Sequence, residues 1–333
     1  MESEEQCWQT VLWLNTLDVS RPGELLKAAE AASEPFQRQK LHMECAYFSG
    51  DLKACIALTR GPYPQDLRAG STLLLRMAAS MATGDYAIFS EALKTLKSLA
   101  QCLNGRPEAV IPELIQGIID VSLYNWQSCP QWILSRNFDR LPQQMKLYAF
   151  YLPAKYLLVQ GKYEEVVAMI RTVLTLCPEH SEALTQIYLN LMLTIALVGL
   201  QRREEAQKPL DAAMVWMVPA GFVMPVVEHY PALGNLLSPY DTLAPDFMNK
   251  VNQLRIEVGY HFVEFHNKLT HNTVTHLLTP REYEVAYLAK AGYRNQEIAN
   301  ALGISVETVK SYLQVVYEKL YIKSRKELEK QVM

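Results

Sequence analysis

Leu278-Thr279-Pro280-Arg281-Glu282 opens the stretch whose reading decides the fold, and its punctuation continues through Gly292, Gly303-Ile304-Ser305 and Leu320. Thr279 offers a hydroxyl at an N-cap, Pro280 a pre-set φ at the first helical position, and Glu282 a carboxylate three residues after the cap. A helix is therefore expected from Pro280 to about Ala291, buried through Val285, Leu288 and Ala289 and ended by a left-handed Gly292. A shorter helix follows from about Asn295 to Leu302, with Ile298, Ala299 and Leu302 inward. Arg294 stands where its cap would be, so either Asn295 caps that helix or its end is left to water. Gly303-Ile304-Ser305 forms the turn into a third helix, which Ser305 caps and which runs to about Leu320. At helical spacing Val309, Leu313, Val316 and Leu320 share the inner sector of this third helix. Glu307, Ser311, Gln314 and Glu318 lie opposite, with Lys310 on the flank, a polar face fit for base edges and phosphates in a major groove.

These residues resemble the DNA-binding domain of the LuxR family of bacterial transcription regulators. Leu278-Thr279-Pro280-Arg281-Glu282, Glu297-Ile298-Ala299, Leu302-Gly303-Ile304-Ser305, Thr308-Val309-Lys310 and Lys319-Leu320 stand at that family's spacings, and the resemblance covers residues 278–333. It implies four helices, the third reading the major groove and the fourth, expected from the Ser324-Arg325-Lys326-Glu327 capping box, making a homodimer contact. Family position and polarity together assign base contacts to Lys310, Ser311 and Gln314. They assign contacts to the DNA backbone to Asn295, Gln296, Thr308, Lys319, Lys323 and Arg325. Lys310 can donate to guanine O6 and N7, and Gln314 can pair with adenine N6 and N7.

The 333 residues are half hydrophobic, enough chain for two domains with sizeable cores. Met1-Glu2-Ser3-Glu4-Glu5 is acidic where a secretory leader is basic, and the longest apolar run, Leu189 to Leu200, is interrupted by Asn190 and Thr194. A cytoplasmic protein with no membrane partner is expected. Six scattered cysteines without a Cys-x-x-Cys pair argue against a zinc ribbon or a disulfide framework and for reduced, buried thiols. The net charge of −3 divides into +2 from Leu278 onward and −5 before it. A weakly basic reader of this kind needs dimerisation on two half-sites for useful affinity.

Before residue 278 the apolar residues recur at three- and four-residue steps and nothing alternates like a strand, so the chain is expected to be all-α. Phe48-Ser49-Gly50-Asp51-Leu52, Ala82-Thr83-Gly84-Asp85-Tyr86, Val159-Gln160-Gly161-Lys162-Tyr163 and Leu197-Val198-Gly199-Leu200-Gln201 each set a glycine between two apolar helices, and Tyr124-Asn125-Trp126 looks like a degenerate copy. Their spacing matches tetratricopeptide-type helix hairpins, so a helical-repeat solenoid is expected over residues 1–237, with the proline-punctuated portion from Pro107 to Pro153 as its irregular part. Ala220-Gly221-Phe222-Val223, with Pro225 and Pro231-Ala232-Leu233, resembles the segment that closes the helical sensor of the large maltose-activator-type regulators. Those regulators carry a nucleotide-binding domain, whereas no Gly-x-x-x-x-Gly-Lys-Ser/Thr loop occurs here. Ser238 to Pro245 reads as an irregular connection, Asp246 to about Leu269 as a helix, and Thr270 to Leu277 as a linker, giving domains 1–237, 238–277 and 278–333.

Catalysis finds no support: Gly-x-Ser-x-Gly, His-Glu-x-x-His and Gly-x-Gly-x-x-Gly are all missing from the sequence. His261, His266, His271 and His276 step by five residues, which spreads them around a helix, so they read as solvent-facing linker histidines and not as metal ligands. Cys177-Pro178-Glu179-His180 reads as a turn. No cofactor is expected. The five tryptophans and eighteen tyrosines fill core or line a groove for a small-molecule or protein effector. The resulting expectation is a sequence-specific regulator binding double-stranded DNA as a homodimer, with RNA polymerase as a further partner. The alternative is a tetratricopeptide-type adaptor whose C-terminal domain docks a protein instead of DNA. A sigma-factor-like promoter module ranks behind both, because no second promoter-binding region is visible.

Overall fold

The computed structural model describes residues 11–59, 69–177, 181–270, 278–320 and 322–328, and among them there are helices and turns but no strand. The chain divides into two compact units, residues 1–225 and 226–333.

The first unit is a run of helices: α1 (Leu25–Glu30), α2 (Pro35–Phe48), α3 (Leu52–Leu58), α4 (Ala69–Thr83), α5 (Tyr86–Cys102) and α6 (Val110–Ser122), then the single turn α7 (Gln131–Leu134), α8 (Gln143–Ala149), α9 (Tyr151–Val159), α10 (Tyr163–Leu174), α11 (Ala183–Gly199) and α12 (Arg203–Ala220). One device joins successive helices. Gly50, Gly84 and Gly161 are left-handed, as expected for glycines that end helices, and the amide after each reaches back five residues: Asp51 N to Ala46 O at 2.9 Å, Asp85 N to Ser80 O at 2.9 Å, Lys162 N to Leu157 O at 3.0 Å. Tyr124 and Gln201 adopt the same left-handed conformation without being glycine, and Asn125 N and Arg202 N close the same bond. The fourth expected glycine phrase is thus realised two residues later. Gly199 is the last residue of α11, where a Cβ would stand 2.6 Å from the Tyr163 ring, and Gln201 makes the turn. In the two Gly-Asp phrases the aspartate then opens the next helix, its carboxylate accepting from Ala54 N at 3.1 Å and from Ile88 N at 3.0 Å.

The prolines that marked the middle of the unit as irregular sit where helices begin. Pro107 opens a 3-10 turn, Pro130 and Pro142 are N-caps, and Pro112 and Pro153 lie in first turns, where a missing N–H costs no hydrogen bond. α11 is buried on nearly every side, which accounts for its long apolar run, and no described helix is long and apolar enough to cross a membrane. The run of pairs returns on itself: the 3-10 turn Trp13–Thr16 packs against α2 and α11, and α1 packs against α12. The Phe48 ring meets those of Tyr188 and Phe222 at 6.4 and 5.7 Å.

The second unit contains most of α13 (Met224–Leu233), a 3-10 turn Gly234–Leu237, the short α14 (Tyr240–Leu243), the long α15 (Pro245–Thr270), and then α16 (Pro280–Lys290), α17 (Asn295–Leu302) and α18 (Val306–Lys319). The stretch expected to be irregular, from Ser238, therefore includes a helical turn, and α15 matches the helix expected from Asp246. The linker after Thr270, with His271 and His276, lies outside the described residues, as do Cys7 and residues 178–180 of the Cys177 turn. α15 packs on α16, and the Gly234–Leu237 turn packs on α17. The Arg255 guanidinium donates to the Glu284 carboxylate and sits 4.3 Å from the Tyr230 ring, with the arginine and glutamate side chains 7 and 9% exposed. Tyr230 Oη donates to Ala301 O at 3.0 Å, and Tyr293 Oη to Ala232 O at 3.1 Å.

Two expectations about polar side chains need correction. His266 is 4% exposed and not solvent-facing, because α15 turns it toward the core of its unit, where its ring meets Thr270 Oγ1 at 2.9 Å. Cys102 is exposed at the end of α5, while Cys55 and Cys129 are buried and burial pushes their thiols up to about 12.

Glu44 is fully buried in α2, and burial pushes its carboxyl up to about 8 against the opposing pull of Leu14 N–H, Trp13 N–H and Lys40. The folded unit then holds a proton that the unfolded chain releases near the ordinary carboxylate value of 4.5, so stability should fall as pH rises from there through about 8 and level off above. Asp120, raised by burial to about 6, acts in the same direction. All five tryptophans lie before residue 226, so their fluorescence reports this unit alone. Its melting midpoint should drop across the window, and Glu44→Gln should flatten the drop; a midpoint that climbs instead would mean Glu44 is ionised in the folded protein. In the second unit Gly234 has a φ of +50° and a Cβ there would lie 2.6 Å from the Tyr293 ring, whereas Gly292, at +88°, has open space around it. Gly292→Ala should cost about 1–2 kcal/mol and Gly234→Ala about 2–4 kcal/mol. Hydrogen exchange of the α16–α18 amides would show this order, or refute it if the two were equal.

Candidate nucleic-acid interface

The expected capping box is present at α16. Thr279 Oγ1 accepts from Glu282 N at 3.4 Å, and Glu282 Oε2 accepts from Thr279 N at 2.7 Å. Lys319 Nζ, from the end of α18, donates to the same carboxylate at 2.7 and 3.0 Å, so one glutamate ties the first turn of α16 to the last turn of α18. Burial works against its charge, but Lys319 and the Thr279 N–H together hold the Glu282 carboxyl below its usual value.

At α17 Asn295 is not the cap. Arg294 is the N-cap, its backbone N–H donates to Glu297 Oε2 at 2.7 Å, and Asn295 is the first helical residue. The reach-back half of a capping box therefore works without a capping side chain. Gly303, at φ +62°, ends α17, and Ser305 Oγ accepts from Thr308 N at 3.0 Å to open α18. Arg281 secures the other end of α17 by donating to Leu302 O at 2.7 Å while pairing with Glu284 at 2.8 Å.

α18 has the two faces expected of it. Val309, Leu313, Val316 and Leu320 are buried, and Glu307, Lys310, Ser311, Gln314 and Glu318 are exposed. On the exposed face Lys310 pairs with Glu307 at 2.7 Å, Ser311 Oγ donates to Glu307 O at 3.0 Å, and Gln314 donates to Glu318 at 3.2 Å. With side chains 56 and 80% exposed, the Lys310–Glu307 pair contributes little, and Lys310 can leave it at small cost.

An open depression of about 490 Å³ runs beside α18, lined by Asn295, Lys310, Leu313, Gln314, Tyr317, Glu318, Ile322 and Arg325. It brings two residues expected at base edges, Lys310 and Gln314, together with two expected at the DNA backbone, Asn295 and Arg325. Ser311, Gln296, Thr308, Lys319 and Lys323 do not line it. Gln296 is exposed and pairs with Asn300 at 3.1 Å, Thr308 meets Ser305 Oγ at 2.8 Å, and Lys323 is exposed. Arg325 has internal work: it donates to Ala289 O in the last turn of α16 at 2.9 Å, to Tyr293 O in the turn that follows, and to Asn295 Oδ1 at 3.2 Å, tying the end of α16 to the start of α17. Of the expected fourth helix, Arg325–Glu327 form one 3-10 turn and Ser324 Oγ meets Glu327 Oε1 at 2.7 Å; residues 329–333 lie outside the described ones.

Tyr317 and Ile322 were not singled out from the sequence. Tyr317 follows Gln314 by one helical turn, which is the signal that could have placed it in the depression; Ile322, beyond the helix, carries none. Tyr293, between α16 and α17, is 2% exposed, since its position depends on Ala232 and Gly234 far away in sequence. Among the described residues no group of three His, Cys, Asp or Glu side chains could hold a metal ion.

The family signature of bacterial regulatory proteins, luxR family, matches residues 276–330. The transcriptional regulatory protein DegU of Brevibacillus brevis is 31% identical over 126 residues, which is 38% of this chain and 47% of that protein. The HTH-type transcriptional regulator MalT of Yersinia pestis (strain Pestoides F) is 31% identical over 160 residues, 43% of this chain and 18% of MalT. The chain thus spans under half the length of these relatives. No solved structure matches it. The capped helices α16 to α18, the polar outer face of α18 and this signature agree, and residues 276–330 form a helix-turn-helix domain of the luxR family.

Proposed function

We propose that this chain is a sequence-specific DNA-binding transcription regulator, in which α18 reads the major groove as one half of a homodimer and the helical pairs of residues 1–225 receive a ligand or protein signal. The observation that carries this reading is the division of α18: a buried apolar face holds the helix in its domain, and an exposed face offers Lys310, Ser311 and Gln314. Lys310 and Gln314 present the donor and acceptor groups that distinguish guanine and adenine in the major groove, and Ser311 adds a hydroxyl between them. Asn295, Gln296, Thr308, Lys319, Lys323 and Arg325 contact the phosphate backbone, where backbone contacts set register and base contacts set sequence. The similarity to DegU and MalT, both regulators of transcription by name, favours this reading over a protein-docking adaptor.

Lys319 and Arg325 hold the domain together as well as facing DNA, so the two kinds of contribution separate by substitution. Lys323→Ala should weaken binding alike on cognate and random duplexes, flatten the salt dependence by about one unit of slope, and leave the melting curve unchanged. Arg325→Ala should lower both affinity and melting temperature, because the guanidinium that joins Ala289 O, Tyr293 O and Asn295 Oδ1 is lost. An Arg325→Ala protein that melts normally would place that side chain outside the domain's framework.

The two faces of α18 should fail differently. Leu313→Ala opens a cavity costing about 2–5 kcal/mol, and binding is lost with the fold. Gln314→Ala and Lys310→Ala leave the fold intact, lose about 1–3 kcal/mol on the operator and keep most of the non-specific affinity. Melting and competition binding on the same purified variants test this. Equal losses on operator and random DNA would remove Lys310 and Gln314 from base reading, and failure of the full chain to bind duplex DNA in a salt-dependent way would favour the adaptor.

A further inference from the structure

Residues 11–19, Val-Leu-Trp-Leu-Asn-Thr-Leu-Asp-Val, are a largely non-helical segment held inside the first unit. Val11, Leu12, Trp13, Leu14 and Asn15 are each at most 4% exposed, and Leu17 and Val19 are buried as well. Only a single 3-10 turn, Trp13–Thr16, interrupts extended backbone at Leu12 and Leu17. The segment is gripped from both sides by helices remote in sequence. From α2, Glu44 accepts Trp13 N at 2.6 Å and Leu14 N at 2.8 Å with its two carboxyl oxygens, and Phe36 meets the Trp13 ring edge-on at 5.8 Å. From α11, Thr185 N donates to Asn15 Oδ1 at 3.0 Å, and Asn15 Nδ2 donates to Thr185 Oγ1 at 3.0 Å.

These contacts are those of a receptor for a peptide. Two backbone N–H groups meet a buried carboxyl group, one carboxamide is read in both directions, and apolar side chains fill the space between. The α11 side of the site is built to receive a cap from outside the helix. Its own N-cap, Glu182, is left-handed at φ +58°, makes no side-chain cap, and has a buried Oε2 without a hydrogen-bond partner. Asn15 supplies the missing acceptor to the third residue of the helix from 170 positions away. A segment joined to the rest by hydrogen bonds of this kind can be replaced by another chain that offers the same groups, and the left-handed Glu182 gives the helix start a strained conformation for a replacement to act on.

We infer that the space between α2 and α11 is a peptide-binding site, which residues 11–19 occupy as an intramolecular stand-in for an extended apolar peptide bearing a tryptophan and, two residues later, an asparagine. The inference rests on the proposed role of residues 1–225 as the receiver of a signal, and gives that signal a chemical class. The occupant reads Glu44 through its backbone and Thr185 through its carboxamide, so specificity lies in the asparagine and in the size of the apolar side chains beside it.

The test uses the full chain and a fluorescent synthetic peptide of residues 11–20, flanked by lysines for solubility. Against the wild-type chain the peptide competes with the protein's own segment and binds weakly. Asn15→Ala in the chain loosens that segment, and the peptide should bind this variant at least tenfold more tightly. A peptide carrying Ala in place of its asparagine should bind the same variant at least tenfold more weakly than the native peptide. Absence of binding to either chain, or binding indifferent to the asparagine in the peptide, overturns the inference. So does an Asn15→Ala chain whose tryptophan-monitored transition is lost, because the segment would then be an inseparable part of the core. Duplex DNA affinity is measured on the same samples with and without peptide. Peptide binding that leaves it unchanged removes the signal-receiving role while leaving the site, and a change in DNA affinity supports both.

Discussion

Each α-helix opens with four backbone N–H groups, and closes with four carbonyls, that have no partner within the helix, and the fold of this chain depends on how those groups are answered. In the first unit the answer is a repeated turn. A left-handed residue ends one helix, the next amide bonds five residues back, and at Gly50-Asp51 and Gly84-Asp85 the aspartate caps the helix that follows. The turn sets how consecutive helices meet, and repeating it lays them side by side so that their apolar faces can be buried together. Tyr124 and Gln201 show that left-handed geometry is what the turn needs, and glycine only its cheapest supplier.

The same requirement shapes the DNA-facing domain with different parts. Thr279 and Ser305 cap α16 and α18, Glu297 reaches back at α17, and Arg325 ties Ala289 O of α16 to Tyr293 O and Asn295 at the start of α17. Because these groups also fix where α17 and α18 begin, the polar face of α18 and the first residues of α17 take defined positions. Glu282 and Lys319 lock the two outer helices to one another. Positioning and stability thus share residues, and a side chain such as Arg325 serves the framework and borders the depression beside α18 together.

The second unit is larger than its helix-turn-helix. Tyr230, Ala232, Gly234 and Arg255 meet Ala301, Tyr293 and Glu284 through two tyrosine hydroxyls, a tight glycine contact and a buried ion pair. Breaking such a pair by removing one partner leaves a buried charge unanswered, which is why this contact specifies one arrangement whatever its net contribution to stability. The outer face of α18 takes no part in these contacts and remains exposed.

Much of this was legible in the sequence because it is local. Thr279-Pro280-Arg281-Glu282, Gly303-Ile304-Ser305 and the Gly-Asp phrases carry their instructions within four or five residues, so helix starts, helix ends and the two faces of α18 could be read without coordinates. Tertiary structure decided what depends on neighbours distant in the chain. His266 is buried because α15 turns it toward the core of its unit, Gly199 is required by the ring of Tyr163, and Arg325 is drawn to the Ala289 and Tyr293 carbonyls more than thirty residues earlier. Asn15 caps a helix that starts 168 residues after it. A hydrogen bond of that span leaves no periodicity or motif in the sequence, since its two partners are brought together only by the packing of the helices between them.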